Sequence, residues 1–249
     1  MQNTLVKKPI DQTVTTFDAN GAEIKLSPKI VRDYLVSGNR DSVSFQELAM
    51  FINLCKYQKL NPWLREAYLI KYGQKDPATL VVGKEAFMKR AEAHPKYNGF
   101  DAGVVLIDNE TGEIIYRSGT IYIRNAETII GGYAKVYRKD VDHPFIAEVS
   151  FDEYAGKKAD GTLNSQWAKK PATMIRKVAL VQALREAFPN TLGGMFTAEE
   201  QGEVEAEATE PMIVPEEAST AAPETPAEVT QPERFAEPNL FEQADNSLI

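Results

Sequence analysis

Three strand-like segments, followed by the strongest helical pattern in the chain, place the tightest limits on the fold. The segments cover residues 100–107, 113–124 and 128–139, and they are rich in β-branched and aromatic side chains. Short polar links join them, so we expect an antiparallel meander. A fourth short run lies at 145–151, and a helix with proline at its first position is predicted over 171–188. The prediction is an α+β fold with an antiparallel β-β-β-α core.

A hairpin and short helices are predicted before this core. Asn20-Gly21 separates two short extended segments, which is typical of a two-residue hairpin turn. Ser27 followed by Pro28 indicates the start of a short helix. The remaining predictions are strands at 66–72 and 79–83 and a helix at 83–92.

A second N-terminal helix is predicted from Ser44, because Glu47 three residues later completes the pattern of a capping box. Its apolar stripe, at three- and four-residue spacing, is Leu48, Phe51, Ile52 and Cys55. Cys55 is therefore predicted to be a core residue. As the only cysteine, it excludes a disulfide within the chain and fits a reducing compartment.

The formal net charge of −8 averages two regions of opposite sign. Residues 199–249 contain 14 acidic side chains and one arginine, whereas residues 1–198 have a net charge of +5. The acidic stretch is rich in Glu, Pro, Ala and Thr, a composition typical of disorder. We therefore predict a folded domain over 1–197 and a disordered acidic tail over 198–249. The apolar residues within 235–249 suggest a docking peptide, or a solvated end with no role.

Several classes of function lack their sequence signals. No phosphate-binding loop or dinucleotide fingerprint is found, and one cysteine with two histidines does not supply a zinc site of the usual spacing. We therefore predict no catalytic residues, no bound metal and no cofactor. The polar opening residues and the absence of a long apolar run predict no secretory signal and no membrane span, and hence a cytoplasmic location.

Basic residues concentrate between residues 156 and 188, where seven Lys or Arg side chains stand against Asp160 and Glu186. Trp167 lies among them. Cations that neutralise phosphates, with a flat ring for stacking, form the composition used to bind single strands. Two alternatives stay open: Trp167 is a core anchor or a base-stacking residue, and Arg185 is paired with a buried carboxylate or faces a DNA groove.

Four motifs in order resemble the Bet family of phage recombination proteins, within the RecT-like class of single-strand annealing proteins. The resemblance covers roughly residues 45 to 190. The matching residues are Asn61-Pro62-Trp63 with Glu66 and Tyr68; Val81-Val82-Gly83; Tyr137-Arg138-Lys139-Asp140 with His143-Pro144; and Trp167 with Pro171, Met174, Arg176, Ala179, Gln182, Ala183, Arg185, Ala187 and Phe188.

The resemblance implies a function without catalysis in the cytoplasm of a bacterial host. Such proteins bind single-stranded DNA without ATP, anneal complementary strands and hold the annealed duplex intermediate. They act as homo-oligomers, in a ring or helical filament, with a partner 5′→3′ exonuclease and in some cases a host single-strand DNA-binding protein. The residues expected to bind DNA, from the resemblance and from the basic region, are Arg138, Lys139, Lys157, Lys158, Trp167, Lys169, Lys170, Arg176, Lys177 and Arg185.

Two departures separate this chain from the typical family member. Val178 stands where that member has a lysine inside the core helix, and the acidic tail replaces a helical C-terminal domain. A metal-dependent single-strand nuclease and a passive single-strand DNA coat protein remain as alternative functions.

Overall fold

Short strands and helices form the first half of the described chain. The computed structural model describes residues 13–158 and 160–201. Its labelled elements up to residue 93 are β1 (Thr15–Ala19), β2 (Ala22–Leu26), α1 (Pro28–Ile30), β3 (Val36–Gly38), α2 (Phe45–Tyr57), β4 (Ala67–Lys71), β5 (Thr79–Val82) and α3 (Lys84–Ala93). The predicted hairpin, helices and two short strands of this half are all present, so these predictions are confirmed.

Local caps fix the ends of the first helices as predicted. The Ser27 hydroxyl accepts a hydrogen bond from the Ile30 N–H at 3.2 Å, which starts α1. Ser44 and Glu47 form both bonds of the capping box at the start of α2. Cys55 on the buried face of α2 is fully buried, and burial raises the pKa of its thiol to about 12.

A small three-stranded sheet forms beside α2, and two of its three strands were predicted from the sequence. Its order is β3-β4-β5, with β4 antiparallel to β5 and parallel to β3. The three residues of β3 are too few to show a period-2 pattern, so this strand was not predicted.

The second half of the described chain forms the four-stranded sheet and the long helix. Its elements are β6 (Tyr97–Asp108), β7 (Ile114–Ser118), β8 (Glu127–Arg138), β9 (Phe145–Ser150), α4 (Phe151–Tyr154), α5 (Ser165–Lys169), α6 (Pro171–Ala187) and α7 (Pro189–Leu192). With helices and antiparallel sheets in one chain, the α+β class and the antiparallel strands backed by a long helix are confirmed.

The predicted meander is wrong, because the four strands are ordered β7-β6-β8-β9. β8 pairs with β6, and β7 pairs with β6 on its other side. The two strands differ in burial: β7 has five residues, none of them fully buried, whereas β8 has twelve residues with a buried centre. The long apolar strand therefore occupies the interior of the sheet, and the short one lies at its edge.

Helix α6 packs across β8 and β9 and completes the core. Ile175, Val178 and Leu184 are almost wholly buried on it. Gly132 of β8 lies against the helix, and a Cβ there would stand 2.6 Å from the carbonyl oxygen of Ile175. This glycine therefore lets the helix approach the sheet closely.

The last described residues pack onto the body. Val82 donates a backbone hydrogen bond to the Phe196 carbonyl at 2.9 Å, and Ala198 is buried with Ile70 and Val81. The rest of the predicted acidic tail, from residue 202, lies outside the described residues, as does the predicted docking peptide. The division at residue 197 stays a prediction.

Among the residues that the structure describes, no helix combines the length and the apolar character needed to cross a membrane.

Candidate nucleic-acid interface

Four exposed lysines lie on the segment that precedes α6. Lys157 and Lys158 belong to a loop before α5, Lys169 ends α5, and Lys170 follows it. We call these four residues the lysine cluster. No carboxylate within the described ranges forms a salt bridge with any of them. Their ammonium groups therefore stay open to solvent and to an anionic ligand.

Trp167 holds this segment against the core and does not stand among the lysines on the surface. Its side chain is 2% exposed, and its ring meets Phe151 edge-on at 5.4 Å between centroids. Asn164 caps α5 by accepting a hydrogen bond from the Trp167 N–H at 3.1 Å. A Cβ at Gly156 would lie 3.1 Å from the Trp167 ring, so the loop passes too close for a larger residue. The structure thus supports the core-anchor alternative for Trp167, because a buried ring has no face for a base.

The loop that carries Lys157 and Lys158 is closed by backbone hydrogen bonds. The Lys158 N–H donates to the Thr162 carbonyl, and the Asn164 N–H donates to the Gly156 carbonyl, both at 2.8 Å. Hydrogen bonds from the Thr162 hydroxyl and N–H lower the pKa of Asp160, and the charge of Lys158 adds to this. Asp160 therefore stays ionised and stabilises the turn of the loop by accepting both hydrogen bonds from Thr162.

Arg176 bridges α6 and the sheet. Its Nε donates to the Ala102 carbonyl at 3.0 Å, and its guanidinium lies 5.9 Å from the centroid of Phe100. The side chain is half-buried, so only part of the guanidinium can reach a ligand.

Lys177 and Arg185 are paired with the acidic residues that follow Phe196. Lys177 Nζ lies 2.6 Å from Glu199 Oε1, and Arg185 contacts both oxygens of Glu200 at 2.6 and 3.0 Å. The Arg185 guanidinium also lies 4.8 Å from the centroid of Phe196. In this conformation the two cations face carboxylates, so the paired alternative for Arg185 is the one that the geometry supports.

Arg138 is likewise engaged within the fold, whereas Lys139 is exposed. Arg138 forms two hydrogen bonds with Asp140, at 2.6 and 2.9 Å, and donates to the Ala187 carbonyl at 2.8 Å. Hydrogen bonds from Arg138, and then from Lys96, hold the pKa of Asp140 well below its usual range. This cation joins the end of β8 to the end of α6.

The structure therefore divides the ten predicted DNA-binding residues into two groups. The lysine cluster and Lys139 are exposed. Contacts within the fold engage Arg138, Trp167, Arg176, Lys177 and Arg185. Sequence reasoning missed Glu199 and Glu200 as partners, because composition placed them in the tail. The available signal in the sequence was the apolar Met195, Phe196 and Ala198 directly before them, of which the structure buries Met195 and Ala198.

Among the described residues, no group of three or more His, Cys, Asp or Glu side chains could hold a metal ion.

One family of known proteins matches the chain. The model of the RecT family matches residues 23–214, which is most of the sequence. No curated protein sequence matches the chain.

Proposed function

The chain belongs to the RecT family, and from this membership we propose that it binds single-stranded DNA and anneals complementary strands without ATP. The family match carries the proposal, because it spans the three-stranded sheet, the four-stranded sheet and α6. Membership implies annealing in recombination, and proteins of this family are generally not catalytic. Base pairing supplies the free energy of annealing, so the protein needs only to neutralise phosphates and present bases.

The lysine cluster is the surface that we assign to the DNA backbone. Its ammonium groups are exposed, and the buried Trp167 anchors the segment that carries them. Lysines held on an ordered segment lose less freedom on binding than lysines on a mobile one. Trp167 then acts on DNA binding indirectly, by positioning the lysines.

We also propose the setting in which this activity operates. The protein acts as a homo-oligomer, a ring or a helical filament, on single strands exposed by a 5′→3′ exonuclease in the cytoplasm of a bacterial host. A host single-strand DNA-binding protein is a further partner. These assignments come from the resemblance, and residues 235–249 are the part of the chain where a docking peptide would lie.

Two double variants test the DNA surface. Lys169→Gln with Lys170→Gln removes two cations of the cluster, and Lys25→Gln with Lys75→Gln removes two exposed cations elsewhere. Each phosphate contact on single strands contributes about 0.7 to the log–log salt dependence of binding, so the cluster variant should lose about 1.4. The control should keep the wild-type slope. Equal slopes in both variants would place the DNA elsewhere.

The same preparation separates annealing from the two alternative functions. A labelled oligonucleotide incubated with Mg²⁺ or Mn²⁺ should stay intact, whereas a metal-dependent nuclease would cleave it. A passive coat protein would bind the oligonucleotide but would not speed its pairing with a complement.

A further inference from the structure

A cleft of about 320 Å³ lies on the described chain where the ends of α2 and α3 meet the β1–β2 turn and α7. Its polar lining includes Gln58, Lys59, Arg90, His94 and Thr191. None of the lysine cluster lines it, and the proposed function leaves it without a role.

Arg90 is the residue in this cleft with unused hydrogen-bonding capacity. Its Nη1 donates to Gln58 Oε1 at 2.8 Å and makes longer contacts with the Thr191 carbonyl at 3.4 Å and Met195 Sδ at 3.3 Å. All three partners are neutral. Its Nε and Nη2 have no partner among the described residues, yet neither atom is sealed from solvent. A guanidinium carries five N–H donors in a planar fork, so an oxyanion can be bound by those that remain.

The charge of the lining also favours an anion. Lys59 and Arg90 line the cleft, and no Asp or Glu from the described ranges does. Burial lowers the pKa of Arg90, and the more distant Glu66 acts against this, so the guanidinium is desolvated without an ion pair. The carboxyl ends of α2 and α3 offset part of this positive charge, since each carries about half a negative charge.

Tyr57 adds a flat apolar wall at the mouth of the cleft. Its side chain is 78% exposed, and Lys56 Nζ lies 6.0 Å from the centroid of its ring. An exposed ring beside two cations suits a nucleobase attached to a phosphate, because bases stack on aromatic side chains whatever their sequence.

We propose that this cleft binds the phosphoryl group of a nucleotide, with Arg90 and Lys59 on the phosphate oxygens and Tyr57 against the base. The nucleotide is a free mononucleotide or the terminal nucleotide of a DNA strand. The site is separate from the lysine cluster, so a test of nucleotide binding in the cleft does not depend on whether the protein anneals strands.

Calorimetric titration with deoxythymidine 5′-monophosphate, in a phosphate-free buffer, tests the site on the full chain. Lys59→Met removes one cation from an exposed side chain and keeps its length, and it should weaken binding roughly two- to fivefold. Arg90→Gln should weaken binding by about tenfold or more, because it removes a charged hydrogen-bonding partner. Lys75→Met, an equal change of charge outside the cleft, should bind as the wild type does.

Thymidine and two oligonucleotides that differ only in the group at the 5′ end complete the experiment. Thymidine lacks the phosphate and should bind at least about tenfold more weakly than its monophosphate. If the mononucleotide does not bind but a 5′-phosphorylated oligonucleotide binds more tightly than its 5′-hydroxyl counterpart, and Lys59→Met removes that difference, the ligand of the cleft is the end of a DNA strand. If Arg90→Gln does not fold, Lys59→Met and Lys75→Met still decide the question. Binding that is indifferent to the phosphate, or equal in Lys59→Met and Lys75→Met, would overturn the proposal.

Discussion

Replacing Arg185 by methionine should destabilise the protein more than it weakens DNA binding. Arg185 is 24% exposed and Glu200 only 5% exposed at their side chains, and the two form a bidentate pair. Methionine keeps the packing of the arginine stem but leaves the Glu200 carboxylate buried without its cation. Losing one partner of a buried pair costs roughly 3–5 kcal/mol.

Two features of the site reduce this cost. The Thr197 N–H and hydroxyl still donate to Glu200 Oε2, at 3.0 and 3.2 Å. A quarter of the Arg185 side chain is also open to water. We therefore expect a loss of about 2–3 kcal/mol in the free energy of unfolding. For a folded part of this size, each kcal/mol lowers the melting temperature by about 2–4 °C, so the shift should be about 4–12 °C.

Thermal unfolding followed by circular dichroism measures the shift, and a salt titration of single-strand binding is run on the same samples. Glu200→Gln and the double variant Arg185→Met with Glu200→Gln complete a mutant cycle. The double variant should recover part of the stability, because it no longer buries an unpaired charge. An unchanged melting temperature in Arg185→Met, together with weaker DNA binding per folded molecule, would refute the pairing argument and assign Arg185 to DNA.

Two further predictions concern acid stability and the acidic tail. Burial raises the pKa of Glu47, but hydrogen bonds from Ser44, Ala78 and Lys71 outweigh this effect and lower the pKa from 4.5 to about 2. The stability that the ionised carboxylate contributes is therefore fully present above pH 4.5 and should be lost as the pH falls towards 2. Urea unfolding should show a loss of about 2–3 kcal/mol over this range that Glu47→Gln lacks, and parallel curves for the two proteins would contradict the assignment. Removing residues 202–249 deletes twelve acidic side chains and one arginine while keeping Glu199 and Glu200, so single-strand affinity at low salt should stay equal or rise. A folded truncation that no longer binds DNA would show that the tail takes part in binding.

Local sequence patterns predicted the helices and strands, but the order of the strands in the sheet depends on packing between distant parts of the chain. The capping box of Ser44 and Glu47 and the proline that starts α6 depend on neighbours within a few residues, and both were predicted from the sequence. The order of β7 and β8 depends on which strand buries more area against α6. Short polar links favoured a meander but could not reveal this difference in burial.

The candidate site was harder to predict, because charge and ring type do not reveal orientation. Composition located the seven basic residues between 156 and 188, but it could not show which of them are exposed, nor decide between the core and a base for Trp167. The partners of Lys177 and Arg185 come from a segment whose composition resembles the acidic tail. Only the packing of that segment against β5 and α6 shows that its first two glutamates belong to the fold.

Annealing of two complementary oligonucleotides without any nucleotide cofactor tests the central claim most directly. One strand carries a fluorophore and the other a quencher, and the rate of pairing is followed with and without the protein over a range of salt concentrations. The account predicts that the protein speeds pairing without ATP, and that the effect weakens steeply as salt rises, because phosphate contacts release bound counterions. A requirement for ATP, or binding without faster pairing at every salt concentration, would contradict it.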